Sequence, residues 1–316
     1  MSVGSRPLVP SRLAPGGLAQ RAHGVRHTPR TLVGAYVALT KPRIVELLLI
    51  TTIPTMVLAQ RGWPSLGLMF VTFVGGALAA GGANAFNMYV DRDIDALMRR
   101  TQDRPLVTGV IAPRPALVFA AALEVAAFVL LAVGANLLAA VLALAATAFY
   151  VGVYTIWLKR TSRQNIVIGG AAGAVPVLVG WAAVTGSLGW APVVLFVAMF
   201  LWTPPHFWAL AIRYADDYRA AAVPMLPVVV PLAEAARHMV VYTALLVVST
   251  LVLVPVADLG WIYTAAAVVL GVGFLAGTVA LARRPSPAMS MRVFAYSITY
   301  VTLLFTALTI DVLALA

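Results

Sequence analysis

Nine apolar runs divide this chain, at roughly 44–60, 66–90, 116–134, 136–158, 165–184, 191–212, 238–257, 261–282 and 293–315. Each has about the 17–25 residues that a helix needs to cross a bilayer, where helices and closed barrels alone satisfy their own backbone. The sequence therefore predicts an all-α, polytopic membrane protein, a bundle of nine transmembrane helices. If direction alternates from run to run, one side collects seven Lys/Arg before the first run, five in 91–115, three in 159–163, three in 213–237 and three in 283–292. Arg61 alone of the 22 cations falls on the other side. That bias predicts a cytoplasmic N-terminus, cytoplasmic long loops and an outside C-terminus.

Composition agrees with this reading. At 62% hydrophobic and 10% charged, with a mean hydropathy of +0.94, the chain has too little polar surface for a soluble domain. A net charge of +11 would suggest nucleic acid in a soluble protein. Here the cations sit between apolar runs, and no basic helix or aromatic platform lies outside them, so no nucleic-acid partner is expected. The absence of cysteine removes disulfides and thiolate metal sites.

Residues 1–35 hold five arginines and no acid, and read as a disordered basic tail rather than a secretory signal. The membrane domain is expected over 36–316. An acid-poor, Arg-rich leader also fits an organelle transit peptide. Twenty Arg against two Lys, with abundant Ala and Val, fits a GC-rich bacterial genome better. The cell (plasma) membrane is therefore expected, and the mitochondrial inner membrane if the chain is eukaryotic.

Four of the eleven acids and four arginines fall within 91–104, directly after the second run. Asn87, Asp91 and Asp95 are spaced i, i+4, so a helix continuing through them presents all three on one face. Carboxylate and amide oxygens in that array suit Mg²⁺, a hard cation that takes one or two carboxylates together with phosphate oxygens. A phosphorylated substrate follows, with Arg92, Arg99, Arg100 and Arg104 placed to fork onto it. A solvated, salt-bridged loop is the plainer alternative; the density of acids and the amides Asn84 and Asn87 inside the apolar run favour a site. A second cluster, Arg213, Asp216, Asp217 and Arg219, follows the sixth run. Alone it is weak, but two acidic mouths on one face can hold two Mg²⁺ around one diphosphate. The two acidic loops fall four helices apart, a hint of pseudo-duplication.

His206 lies inside a run, beside Pro204-Pro205, where a polar side chain is costly. Iron ligation, base catalysis and a hydrogen bond to a freed carbonyl all remain open for it. Lys159, Arg160 and Arg163 close the fourth run with Tyr154 one turn inside, either as a positive-inside anchor or to bind phosphate. Glu124, about midway along the third run, is expected to be neutral or to face the bundle interior, with no role assigned.

The run Asn87-x-x-x-Asp91-x-x-x-Asp95 resembles the first aspartate motif of the UbiA superfamily of intramembrane prenyltransferases. Arg100-Thr-x-x-Arg104-Pro-Leu-Val-Thr-Gly, Tyr154-Thr-x-Trp-Leu-Lys-Arg, Asn165-Ile-Val-Ile-Gly-Gly, Trp202-Thr-Pro-Pro-His-Phe-Trp and Pro224-Met-Leu-Pro resemble its protohaem IX farnesyltransferase (haem O synthase) branch. The likeness runs from Leu39 to Ser297 and omits the tail. Two positions depart from the pattern: Met88 stands where many members carry Asp, and Ala222 where the branch usually has Gly.

The resemblance implies a helical bundle around a central chamber open to the cytoplasmic face. It implies Mg-dependent transfer of a farnesyl group from farnesyl diphosphate to a vinyl group of haem b, with water added, giving haem O for terminal oxidases. Haem b is then a substrate, and a haem A synthase or oxidase assembly factors are candidate partners. The expected catalytic residues are Asn87, Asp91, Asp95, Asp217 and His206. Mg²⁺ is expected on Asn87, Asp91, Asp95, Asp216 and Asp217, and the diphosphate on Arg92, Arg100, Arg104, Lys159, Arg160 and Arg213. Phe86, Tyr89, Tyr150, Tyr154, Phe207 and Trp208 can face an allylic cation, the tyrosines nearest the mouth foremost. A quinone-type aromatic prenyltransferase is the first rival. A transporter is the second, disfavoured because the acids gather on one side and the other carries almost no charge.

Overall fold

The computed structural model describes residues 29–315, and the part of the expected tail at 1–28 lies outside the described residues. Among the described residues every regular element is helical. The chain is already helical at α1, Pro29–Thr40, inside the stretch read as tail. Lys41 then takes a left-handed turn (φ 51°) and Pro42 opens α2, Pro42–Gln60, its missing N–H costing nothing in a first turn. Ser65 caps α3, Leu66–Val90, by accepting from the N–H of Leu68. A single turn, α4, Arg92–Asp95, follows, then α5, Pro113–Gly134.

The next span is α6, Leu137–Ala148, which widens into a π-helical segment, Phe149–Leu158, and closes with α7, Lys159–Thr161. After it come α8, Asn165–Thr185, α9, Trp190–Arg213, and the short α10, Ala215–Ala220, and α11, Leu226–Val229. The last three are α12, Leu232–Val256, α13, Trp261–Arg283, and α14, Pro287–Leu315.

Among the described residues, eight helices are long and apolar enough to cross a membrane, against nine expected, with a shorter apolar stretch, Ile50–Gln60, inside α2. The helices α5, α12 and α14 begin three to six residues before the apolar runs do, because a helix tolerates polar residues in a first turn that hydropathy reads as loop.

Helices adjacent in sequence pack on each other: α3 on α5, α5 on α6, α8 on α9, α9 on α12, then α12 on α13 and α13 on α14. The ring closes through α14 on α2, and α2 also packs on α3 and α8. One core cluster centres on Trp202, Trp208, Phe274 and Tyr300 between α9 and the last three helices. A second, between α3, α5, α6 and α8, is mostly alanine, including Ala79, Ala127, Ala140 and Ala182. Small side chains allow the close backbone approach that membrane helices use. Large apolar residues such as Phe70, Val133 and Val269 face outward, as a lipid-facing surface requires.

The far end from the acidic loops is tied by two charges. Asp311 of α14 is buried and accepts from the N–H groups of Gly260 (2.6 Å) and Tyr263 (3.1 Å), so it caps α13 from another helix. Arg61 donates to the carbonyl of Ala257 at 2.6 Å, fastening the end of α2 to the turn before α13.

After α10 the chain closes in a Schellman motif. Val223 N–H donates to the carbonyl of Tyr218 (2.9 Å) and Ala222 N–H to that of Arg219 (3.1 Å). Ala222 sits at φ 52°, left-handed, which explains why glycine is the usual residue there. An L-residue in that region costs about 1–2 kcal/mol. Ala222→Gly should therefore raise stability by about 1 kcal/mol, seen as a higher unfolding midpoint in detergent. A lowered midpoint would contradict the strained cap.

Candidate active site

Helix α3 ends at Val90, yet the helical register carries on. Asp91 N–H donates to Asn87 O at 2.9 Å and Asp95 N–H to Asp91 O at 2.8 Å, so Asn87, Asp91 and Asp95 stay on one face. All three are buried, while Arg92 and Asp93 between them are exposed.

Burying carboxylates is costly unless they are paired and hydrogen-bonded. The Oδ2 of Asp91 accepts from Lys159 Nζ and, at 2.7 Å, from Asn87 Nδ2. The Oδ2 of Asp95 accepts from Arg104 at 2.5 Å. Asn87 is fixed from both ends: its Oδ1 accepts from Lys41 Nζ at 2.9 Å, and its Nδ2 also donates to Thr155 Oγ1 at 3.1 Å. Each aspartate retains one oxygen, Oδ1, that is buried and has no hydrogen-bond partner. Such orphaned acceptors call for an explanation, and a hard cation is one. Asn87, Asp91 and Asp95 thus fit Mg²⁺ by donor type.

These groups open onto a cavity of about 300 Å³. Its polar end is lined by Lys41, Asn84, Asn87, Asp95, Arg100, Arg104 and Lys159, with Tyr150, Tyr154 and Tyr218. Asp91 lies behind Asn87 and Lys159. The inner end is lined by Thr51, Thr72, Ala79, Ala143, Thr147, Pro176, Val179, Met199, Trp202 and Phe207, between α2, α3, α6, α8 and α9.

The π-helical segment aims its residues at this cavity. Thr155 Oγ1 donates to the carbonyl of Tyr150 at 2.9 Å and Lys159 N–H to that of Tyr154. With this wider spacing Tyr154 and Lys159, five apart, share a face, the kind of bulge found at functional sites. Tyr150 and Tyr154 stack with centroids 5.3 Å apart. Gly169 makes room for the second ring, because a Cβ there would lie 2.3 Å from Tyr154.

Cations dominate the rim. Burial, then the charges of Arg104 and Lys159, hold the Lys41 ammonium well below the usual lysine pKa. Burial is the larger cause and the two neighbouring cations add to it, so an anion placed among them would offset like charges. Arg100 reaches across to α10: its Nη2 donates to Tyr218 Oη at 3.0 Å and its guanidinium lies over the same ring at 4.9 Å. Burial in turn pushes the Tyr218 phenol up.

Other expected residues lie elsewhere. Arg92 folds over Tyr89 (4.7 Å) and Arg213 beside Tyr214 (6.0 Å). Arg160 is forked onto Asp93, with both contacts at 2.7 Å, and holds that carboxyl down at about 2; its Nη2 also lies 3.8 Å from Asp91 Oδ1, an ion-pair contact without a hydrogen bond. Asp216 faces outward and pairs with Arg219. Asp217 accepts from the backbone N–H of Arg100 at 3.2 Å, which joins the second acidic loop to the first without placing a carboxylate in the cavity. No cluster of three or more His or acidic residues suited to a metal is present among the described residues.

His206 is buried between Trp202 (4.2 Å) and Phe294 (4.7 Å), with Nδ1 2.7 Å from Ser297 Oγ. Its neighbours Trp202, Thr203 and Phe207 line the cavity, and His206 stands behind them. Glu124 accepts from Thr147 Oγ1 at 3.1 Å and its carboxyl fits against Gly82, so it faces the bundle interior. Lys41 and Thr155 were missed as site residues. The available signal was that this Arg-rich chain has only two lysines, and both meet at Asn87 and Asp91.

Residues 48–307 match the UbiA prenyltransferase family. The chain belongs to that family. It is a prenyltransferase and a multi-pass membrane protein. Protoheme IX farnesyltransferase of Clavibacter michiganensis subsp. michiganensis is 56% identical, over 88% of this chain and 92% of its own. The enzyme of that name from Pseudarthrobacter chlorophenolicus is 50% identical over 98% and 96%. The fold is shared with a digeranylgeranylglyceryl phosphate synthase (TM-score 0.74, 17% identity, 90% of this chain and 99% of the other). A UbiA homolog from Archaeoglobus fulgidus bound to GPP and Mg²⁺ also shares it (TM-score 0.63, 20% identity, 89% and 99%).

Two outcomes follow for this prenyltransferase. Gly169→Val should displace Tyr154 and cut prenyl transfer by on the order of tenfold or more, with the protein still monodisperse; unchanged turnover would remove Tyr154 from the site. The exposed Asp93–Arg160 pair is worth at most about 1 kcal/mol. Asp93's lowered pKa contributes stability above its unbound value of 3.8 that is lost only as pH falls toward 2. Asp93→Asn should therefore leave turnover near wild type and lower neutral-pH stability by no more than about 1 kcal/mol, a difference that shrinks as pH falls toward 2.

Proposed function

We propose that this chain transfers a farnesyl group from farnesyl diphosphate to a vinyl group of haem b, with water added, giving haem O. The observation that carries the diphosphate half is the pair of orphaned carboxylate oxygens beside a cavity rimmed by Lys41, Arg100, Arg104 and Lys159. The names of relatives that are 50–56% identical over nearly the whole chain support the donor and the acceptor. The membrane is the bacterial plasma membrane, or the mitochondrial inner membrane if the chain is eukaryotic, with the site on the cytoplasmic face where the basic loops gather.

In this reading the four cations bind the diphosphate and offset the charge that develops on it as the C–O bond ionises. Asn87, Asp91 and Asp95 would hold Mg²⁺, which when bound supplies further charge neutralisation for the leaving group. Tyr150 and Tyr154 present ring faces to the allylic cation. The apolar inner wall keeps bulk water from the cation until it meets the vinyl carbon. His206 acts through packing: it sets Trp202 and Phe207, which face the chamber.

The substrate-free contacts also predict a hand-over. Lys159 holds Asp91 Oδ2 and Arg104 holds Asp95 Oδ2, so these cations compete with a metal for the carboxylates' charge, and an arriving diphosphate draws them off. Lys159→Met should then strengthen Mn²⁺ binding without diphosphate, by about tenfold (~1.4 kcal/mol) in Mn²⁺ EPR titration, while weakening diphosphate binding by a similar factor. Weaker Mn²⁺ binding would contradict the hand-over.

The acceptor is tested by giving purified protein farnesyl diphosphate with either haem b or 4-hydroxybenzoate. Farnesylated haem alone is expected; a prenylated phenol would favour the quinone-type reading. Asp91→Ala and Asp95→Ala should abolish turnover while the protein still inserts, and wild-type rates at saturating farnesyl diphosphate would refute the metal assignment.

A further inference from the structure

Away from the chamber, on the outer surface, α13 and α14 enclose a second cavity of about 150 Å³. Gly273 and Gly277 form its floor on one helix, and Val293, Tyr296 and Arg292 its wall on the other. Gly273 is what lets the wall stand so close, since a Cβ there would lie 2.2 Å from Tyr296 Oη, and that hydroxyl is spent on the carbonyl of Leu270 at 3.1 Å. At Gly277 the nearest atom to a Cβ would be 3.7 Å away, so the groove is open there.

Arg292 is exposed at the groove's one charged margin, and Arg283, the last residue of α13, and Arg284 just after it are exposed as well. The segment 283–292 contains no acid, and none of the three arginines makes an ion pair among the described residues. Elsewhere on the same face, Arg104, Lys159, Arg160 and Arg219 are each paired with an aspartate, whereas Arg99, Arg114, Arg163 and Arg237 are not among the described residues, so what sets Arg292 apart is the groove beside it. Positive-inside bias explains why these arginines are on this face. It does not explain a groove in the lipid-facing surface that ends at one of them.

We propose that this groove is a binding site for one anionic phospholipid. An acyl chain lies over Gly273 and Gly277, and the headgroup phosphate is held by Arg292 with Arg283 and Arg284. Apolar lining suits methylenes, and a guanidinium at headgroup depth suits a phosphate diester. A zwitterionic lipid would satisfy the groove but bring its own cation toward the arginines.

The test is native mass spectrometry of the delipidated, detergent-purified chain given equal phosphatidylglycerol and phosphatidylcholine. The wild type should retain phosphatidylglycerol, with a preference of on the order of fivefold per contacting arginine. Arg284→Gln with Arg292→Gln should remove the preference. Gly277→Leu, which fills the groove and leaves every charge in place, should also lose the bound lipid. Glycerol phosphate, which has the headgroup but no chain, should not compete.

Equal retention of the two lipids by the wild type overturns the proposal. So does full retention of phosphatidylglycerol by Gly277→Leu, because charge alone would then account for binding. If Gly277→Leu does not fold, the surface arginine pair decides: an unchanged preference there also overturns it. Prenyl transfer should persist in all three forms, since none of these residues touches the chamber.

Discussion

A carboxylate at the end of a membrane helix is the constraint on which the rest of this structure depends. Asp91 is buried completely, and removing one partner of a buried ion pair typically costs about 3–5 kcal/mol. Its neighbours must therefore come from several helices at once: Asn87 from the turn before, Lys159 from the end of the α6 span, and Lys41, through Asn87, from the junction of α1 and α2. The left-handed turn at Lys41 and the π-helical segment before Lys159 are local distortions, and each delivers an ammonium to the same place. These two backbone irregularities and the chain's two lysines thus serve one place.

The same arrangement explains why the chamber is amphipathic. Polar groups are packed at one end, where most of their atoms pair with one another, and the remaining wall is built mainly of small and apolar residues with threonines, closed by Met199, Trp202 and Phe207. Several of the threonines bond back to their own helix, as Thr72 does to Leu68 and Thr203 to Met199. They add little net polarity where an isoprenoid tail would lie. Burial at a membrane-helix end leaves such a site two ways to be electrically complete: with its own cations, as here, or with those brought by a ligand. That alternative is the ground for proposing a binding site rather than a structural salt bridge.

Much of this was legible in the chain. The i, i+4 spacing of Asn87, Asp91 and Asp95 put them on one face, and backbone hydrogen bonds keep that register although α3 stops before Asp91. The substitution at Ala222 flagged a backbone position, and the left-handed φ is its physical meaning. Other features depend on long-range packing and left no local sign. Lys41 is 46 residues from Asn87, and nothing in its own surroundings announces the contact. His206 read as a site residue because a polar group in a span is costly; Ser297, 91 residues on, and the flanking rings meet that cost away from the chamber wall. Asp216 and Asp91 each follow an apolar run and have another aspartate, an arginine and a tyrosine close by, yet one is exposed and the other sealed, which only the fold decides. Asp311 gave no motif at all, because it caps a helix other than its own.

The central claim is that the cationic, carboxylate-bearing chamber farnesylates haem b. Mass spectrometry of haems extracted from membranes of cells that carry this protein, compared with the same cells lacking it, tests that claim most directly. The account predicts a haem bearing a hydroxyethylfarnesyl group in the first membranes and its absence from the second. Identical haem profiles, with protohaem the only common species in both, would contradict it.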